Sequence, residues 1–584
     1  MLLAAVHASP APAWGQPGGV VCPEGSVADI VIDTNSVFDL EGGTRDGRFG
    51  WAYRLANTLH ARTDAEVVRR ELLFDVGDCY DVELLRDSER LLRGFTFLAN
   101  AEVYGIRMPN GQVQVIVDTQ DEWSTRIRPR LGSGGTLGLR GIRVVEENVL
   151  GTGQQIGLFY EQEEDDGETI YGAEYSTPQM FGTRWNLDLE VARTEVGQSY
   201  LASVTYPFVG EQGLRASRQS VERRDRYFEV LIPDGDELAR VWVPVRREQF
   251  EIAAAIRRSG GRYRHTVLGA AVAGERIEFP GLARFADPDR EVPGVLSGFD
   301  TRWDPAHSVR VMAMAGQRNV WFVRRRGVET VNGIEDIQLG VEADASFGPT
   351  IPGFSSTNDI AAGIGLFAAA EPRVGSLVGM HFTAQAKRSY ETVPDLPEWN
   401  DVLAEIDAWA HLRPGLNSRH SLVAKVSAVG GWHPRVPFQL TLGENTGLRG
   451  FPDHVDAGSR RIVGSLEHRM LLSGPFSDLV DLGTVVFADA GKVWDGEFAS
   501  ADESPIRGSV GLGLRAAFPP GSRQTLQVGV GFPLDRPPGV GTVRVSVRLG
   551  VALGMNRGGL DSQLLRSAWY TLESSDFVFP SATP

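Results

Sequence analysis

From about Ser124 to residue 555 the chain alternates apolar and polar positions. In Arg184–Ala192, Trp185, Leu187, Leu189 and Val191 face one way, while Asn186, Asp188 and Glu190 face the other. Ala404, Ile406, Ala408, Ala410 and Leu412 oppose Glu405, Asp407 and His411. Leu526, Val528, Val530 and Phe532 oppose Gln527, Gly529 and Gly531; Val543, Val545, Val547 and Leu549 oppose Arg544, Ser546 and Arg548. A soluble sheet with one wet face has the same period. Persistence over this length, with acids on the polar face of many strands, predicts a transmembrane antiparallel β-barrel, apolar outside and polar inside. At about 10 residues per spanning strand plus connections, the stretch suits about sixteen strands.

Before Ser124 the period is different. Residues 25–123 read as one small α/β unit. Asp29–Ile32 is a short strand. Thr63-Asp64 caps a helix running to about Phe74, with Val67, Val68, Leu72 and Leu73 at helical spacing. Gly77 ends it, and a second helix covers about Asp81–Arg93. Strands Ala101–Met108 and Gln112–Asp118 follow, joined by Pro109-Asn110-Gly111, whose Asn-Gly pair signals a hairpin. The expected order is β-α-α-β-β.

Length and charge narrow the classes. A chain of 584 residues exceeds the usual single domain. Its net charge of -17 gives no electrostatic case for nucleic acid. The longest apolar run, Ile360–Ala370, is broken by Gly363 and Gly365 and is too short for a membrane helix. A membrane reading without such helices requires a closed barrel, because lipid offers free backbone groups no partner. At the N-terminus, Leu2–Val6 and Ala11-Pro12-Ala13 look like the end of a secretory signal peptide lacking its basic region, the alternative being a Pro/Ala/Gly tail. Residues 1–24 are therefore expected to be a signal-peptide remnant and arm. The two cysteines, Cys22 and Cys79, have no metal-ligand spacing. In an oxidising compartment they form a disulfide or remain two free thiols.

Little points to catalysis. Gly151, Gly153 and Gly157 suggest a phosphate loop, but their spacing fails the dinucleotide fingerprint and no helix follows. No Gly-x-Ser-x-Gly or His-Glu-x-x-His motif occurs, and the histidines are scattered. Neither an enzyme, nor a cofactor, nor a metal is expected.

The candidate chemistry lies near the C-terminus. Leu448-Arg449-Gly450-Phe451 sits in a turn-rich segment after Gly447. Strand Arg461–Leu472 carries Ser465-Leu466-Glu467, and Val485–Asp495 carries Phe487-Ala488-Asp489-Ala490-Gly491. Glu467 and Asp489 lie opposite the apolar residues of their strands, on the face that looks into a barrel lumen. A guanidinium is planar, permanently charged and able to bond two carboxylates at once. These residues read as a lock pinning a loop to the inner wall, or as three unrelated surface charges.

In this order the three segments resemble the signature of the BamA-like outer-membrane barrel-assembly and translocation superfamily, which places POTRA domains ahead of a bacterial surface-antigen barrel. Leu448 stands where the family usually has Val. The resemblance runs from about residue 25 to 555. It implies that Arg449 enters the barrel and pairs with Glu467 and Asp489. It implies a sixteen-stranded barrel over 124–555 in the outer membrane of a diderm bacterium. The β-α-α-β-β unit resembles a single periplasmic POTRA domain, serving either as a client-binding sheet edge or as a rigid spacer; assembly and secretion members usually carry more copies. Asn148–Gln154 resembles the family's turn between early barrel strands. Arg548–Met555 has the shape of the closing strand, with Leu553 and Met555 where aromatics are usual. Residues 556–584, with Trp569, Tyr570, Phe577 and Phe579, are then an extension, either disordered or holding the true last strand.

The implied function is insertion or translocation of unfolded outer-membrane or surface proteins. The bilayer is a second partner, and periplasmic chaperones or accessory lipoproteins are further ones. The expected seam joins Thr125–Gly134 to Thr542–Met555. Pro129, which has no N–H to give a ladder, lies on one side, with Gly550 and Gly554 on the other. The alternatives are that Pro129 merely begins its strand, that the protein is a passive pore or lipid or solute conduit, or that it is a structural or adhesive barrel.

Overall fold

The computed structural model describes residues 22–38, 50–132, 138–162, 168–234, 237–261, 263–287, 295–300, 302–390, 397–474, 476–494, 504–550, 561–573 and 577. The signal-peptide-like segment, Gly134, Gly554 and Met555 lie outside them. The chain begins with a three-stranded sheet of β1 (Val27–Asn35), β2 (Leu98–Arg107) and β3 (Val113–Asp121), in the order β1-β3-β2. Three helices separate β1 from β2: α1 (Gly50–Leu59), α2 (Ala65–Glu71) and α3 (Val82–Arg93). The Asp64 and Asp81 carboxylates cap α2 and α3 by accepting from Glu66 N–H and Glu83 N–H. Val68, Leu85, Leu92, Leu98, Val115 and Val117 form the core beneath the helices. Helix α1 was not expected. Its Trp51 and Leu55 are exposed.

Beyond this unit the sheet closes on itself, starting at β4 (Thr125–Gly132) and ending at strand Arg544–Leu549, which lies beside β4 in the sheet order. Among the described residues the closed order contains 21 strands, one of them the two-residue Arg284–Phe285. The expectation of sixteen is corrected. It allowed wide connections, whereas six strands of eight or nine residues follow one another between Thr125 and Tyr206 on short turns.

The burial pattern is inverted relative to a soluble protein. On strand Arg507–Ala517, Val510, Leu512 and Leu514 are exposed while Ser509 and Arg515 are buried. On strand Trp399–Leu412, Glu405 and His411 are buried while Ile406 and Leu412 are exposed. Such a surface is stable only against an apolar medium. No helix among the described residues is long and apolar enough to cross a membrane.

The N-terminal unit docks on one end of the barrel through the turns between its early strands. The Asp64 N–H donates to Gly151 O at 2.9 Å, and an added Cβ on Gly151 would lie 2.2 Å from Arg62 O. The glycine-rich segment 148–154 is therefore a docking turn between strands Gly138–Glu146 and Gln155–Gln162. A second turn repeats it at Gln179–Arg184. There Phe181 takes φ 53, as Leu150 does in the first turn. Gln179 donates to Val67 O and Glu71 Oε1, and Arg184 donates to Arg70 O and Leu72 O.

Glu71 is buried in this junction, and desolvation pushes its carboxyl above the ordinary range, against the Gln179 hydrogen bond and the Arg184 charge. Between the unfolded and folded pKa values the folded chain then binds more protons than the unfolded chain, so stability falls as pH rises through that window. Glu71→Gln keeps the acceptor oxygen and removes the charge. It is expected to strengthen docking at neutral pH and to flatten this part of the pH dependence, as read by chemical denaturation of the N-terminal unit. Equal slopes for the two proteins would refute the assignment.

Two further expectations concern the C-terminal end. Among the described residues the last strand runs to Leu549, with the Gly550 N–H still donating to Thr525 O; Leu553 and Met555, expected to close it, lie outside the described residues. The described residues after 560 form no barrel strand and are not external. Residues 561–573 and Phe577 line the inside of the barrel, where Leu564, Trp569, Leu572 and Phe577 are buried.

Candidate functional site

The segment between strands His420–Trp432 and Arg460–Leu472 folds back into the lumen. A short ladder, Leu440–Leu442 against Asp456–Gly458, forms its stem. A turn at Glu444–Thr446 leads to Gly447, at φ 103, and to Gly450, at φ 89. Both values suit glycine, since a side chain there would strain the backbone. Leu448 and Phe451 anchor the tip by packing with Leu442, Val463 and Val493.

Between these anchors Arg449 faces the wall. Its Nε donates to Asp489 Oδ2 at 2.7 Å and its Nη2 to Asp489 Oδ1 at 2.6 Å, a bidentate pair. Its Nη1 donates to Glu467 Oε1 at 2.5 Å and its Nη2 to Ser465 Oγ at 2.9 Å. The Arg449 backbone N–H also donates to Asp489 Oδ2, at 3.2 Å. The guanidinium lies over the Phe487 ring, 3.6 Å from its centroid. Arg449 is 2% exposed, and Asp489 and Glu467 are 3% each. Every charge in the site is thus buried with a partner, the condition for retaining it away from water.

Register brings the acids together. Ser465 pairs with Asp489 and Glu467 with Phe487 across neighbouring strands, so both carboxylates point inward at adjacent positions. Ser465 Oγ donates to Asp489 Oδ1, and Arg469 Nε donates to Glu467 Oε2 at 2.8 Å. Ser465 entered the sequence reading only as part of the Ser465-Leu466-Glu467 segment, with no role, and Arg469 not at all, although both share the inward face of the Glu467 strand.

Glycines make room for the loop. A Cβ on Gly531 would lie 2.7 Å from Gly450 Cα, and one on Gly491 would lie 2.8 Å from Leu442 Cδ1. A Cβ on Gly511 would lie 2.3 Å from Phe487 Cζ. Gly491 belonged to the strand motif; Gly511 and Gly531 were missed, because a strand glycine looks the same locally whether or not a loop passes over it.

The lock also reaches the last strand. Arg544 Nε donates to Glu444 Oε2 at 2.8 Å, and Arg548 Nη2 to Glu444 O at 3.0 Å. Arg507 pairs with Asp456 at 2.8 Å. The loop is therefore bonded to strands at 460–472, 481–494, 507–517 and 544–549. Of the other residues named from the sequence, Pro129 sits inside β4, paired with Ile142, rather than at its start. Gly550 lies just past the last strand. Cys22 and Cys79 form a disulfide with a Cα–Cα distance of 5.1 Å, tying the N-terminal arm to the first unit. No group of three or more His, Cys, Asp and Glu side chains among the described residues is placed to hold a metal ion.

Residues 439–552, which contain this loop and the strands that hold it, match the Omp85 superfamily domain. No curated protein matches the chain. Among solved structures the chain is similar to BamA from Haemophilus ducreyi lacking POTRA domains 1-3, at 14% identity over 90% of this chain and 84% of that one, with a TM-score of 0.37. It is similar to CdiB from Acinetobacter baumannii at 11% identity over 90% and 74%, with a TM-score of 0.39. It is also similar to CdiB from Escherichia coli at 12% identity over 93% and 92%, with a TM-score of 0.37.

Proposed function

From the match of residues 439–552 to the Omp85 superfamily domain, we propose that this chain is an outer-membrane insertase or translocon for other polypeptides. In this reading residues 124–555 form the barrel and residues 25–123 a single POTRA-like domain on its periplasmic side. The clients are unfolded outer-membrane or surface proteins. Accessory lipoproteins or chaperones would meet the POTRA-like domain, and no cofactor enters.

One observation carries the reading: the loop locked by Arg449 is bonded through Glu444 to Arg544 and Arg548 on the last strand. That strand lies beside β4, where Pro129 has no N–H to give. A lumenal brace on a seam strand governs whether the seam stays shut. Once open, the strand edge offers unpaired backbone groups on which a client strand can form. Burial of the client in lipid supplies the driving force.

A passive conduit would need a lumen free of obstruction, whereas this one holds both the locked loop and residues 561–573. The two readings separate by cross-linking. Cysteine pairs placed between Thr125–Gly132 and Arg544–Leu549 are expected to join readily, and the joined barrel is expected to stay folded and to lose client insertion. Full insertion by the joined barrel would rule out lateral opening. Unchanged client levels with altered solute or lipid flux would favour the conduit.

A further inference from the structure

The lumen wall carries an apolar stripe that a water-filled barrel would not keep. Ala216, Ala253, Ala255, Ala271, Met312 and Met314 lie on neighbouring strands and are buried. What covers them is the chain's own C-terminal segment, through Leu572, Phe577 and Tyr570. Small residues leave the space: a Cβ on Gly269 would lie 3.5 Å from Leu572 Cδ2, and one on Gly363 would lie 3.3 Å from Thr571 Cγ2. Further along, Leu564 and Ala568 pack on Leu403, Val429, Phe438 and Leu440, and Trp569 packs on Ile277 and Val436.

The described residues of the segment reach from the locked loop to a turn under the N-terminal unit. At its start Asp561 pairs with Arg461 at 2.7 Å and Gln563 bonds Thr441 on the stem of the locked loop. At its end the Phe208 N–H donates to Phe577 O at 2.8 Å, beside the barrel turn whose Glu211 pairs with Arg90 of the N-terminal unit. In between, Arg247 donates to the carbonyls of Leu565, Arg566 and Ala568, Ser567 donates to Pro437 O, and the Tyr570 N–H donates to Glu275. None of the described tail residues joins the barrel ladder. The segment follows the last strand, so it can leave without breaking a strand pair.

We propose that the inner wall is a peptide-binding groove for a segment rich in apolar and aromatic side chains. Its residents are residues 561–573 and Phe577 of the same chain, seated as a releasable plug. With the plug seated the lumen is closed, and release opens it. Because the plug touches the locked loop at one end and the turn under the N-terminal unit at the other, a shift at either end loosens it.

The inference rests on the membrane-barrel reading, and bilayer conductance separates the two. The full chain is expected to insert into planar bilayers with low conductance. A chain ending at Leu560, shown to be folded by its heat-dependent electrophoretic mobility, is expected to conduct severalfold more. A synthetic peptide of residues 561–577 added to it is expected to restore the low level. Trp569→Ala/Leu572→Asp in the full chain leaves the wall intact and is expected to raise conductance as well; it decides the question if the shortened chain does not fold. Insertion with unchanged conductance in these variants, or a peptide without effect on the opened barrel, would overturn the plug alone. Failure of the full chain to insert at all would overturn the membrane reading and the plug with it.

Discussion

Arg449→Ala is expected to release the loop tip from the wall and to cost about 3–5 kcal/mol, the range for removing one member of a buried ion pair. The exposed-pair range of about 0–1 kcal/mol does not apply, because solvent is excluded from all three charges. The loss arises mainly from the survivors: Asp489 would keep Ser465 and Glu467 would keep Arg469, but the pair would lose its shared cation. Arg449→Lys is expected to recover only part of the loss. An ammonium group cannot make the bidentate contact to Asp489 while also reaching Glu467, and it loses the flat contact with Phe487. Asp489→Ala is expected to give a similar defect, and the double variant to cost less than the sum. The measurements are thermal unfolding in detergent and client insertion into vesicles. Strict additivity of Arg449→Ala and Asp489→Ala in both would mean that the residues are uncoupled and that the loop is held by Leu448 and Phe451 alone.

Arg93→Ala is expected to undock the N-terminal unit from the barrel rim. Arg93 is 5% exposed and makes a bidentate pair with Asp336 of the barrel, at 2.7 and 2.8 Å, while also pairing with Glu89 and donating to Ala101 O. Its loss removes the bidentate cation from a barrel carboxylate at the junction, a change on the scale of about 3–5 kcal/mol for a buried pair. Asp336→Ala leaves Arg93 paired with Glu89 and is expected to cost less. Amide exchange on Leu98–Arg107 and protease sensitivity of the link near Glu122 read the docking. If Arg93→Ala left both unchanged, the contacts of Arg523 with the carbonyls of Arg93, Phe95 and Leu98 would be sufficient to hold the unit.

Much of the candidate site was legible because it depends on side-chain type and strand parity. Glu467 and Asp489 sit among residues whose alternation marks the inner face, and a lone arginine in a glycine-flanked turn is conspicuous. The helices that Asp64 and Asp81 start were legible for the same local reason, a capping carboxylate ahead of an apolar stripe. Helix α1 escaped because neither a capping carboxylate nor a first-turn acid announces it. The strand number escaped because connection length leaves no trace in periodicity: the tight turns at 147–154 and 178–185 look like any polar, glycine-bearing link.

The sequence by itself determined where helical period gives way to alternation near Ser124 and which face of each strand meets apolar surroundings. Those are properties of neighbours one to four positions apart. Only the tertiary structure decided that Gly511 and Gly531 form the shelf under the loop, that the brace ends on Arg544 and Arg548, and that residues 561–573 and Phe577 lie along the inner wall. These rest on contacts between residues tens to hundreds of positions apart, such as Phe208 with Phe577 and Arg247 with Ala568. Such contacts form only once a closed sheet brings distant strands around a shared interior, and local spacing carries no record of what that interior will hold.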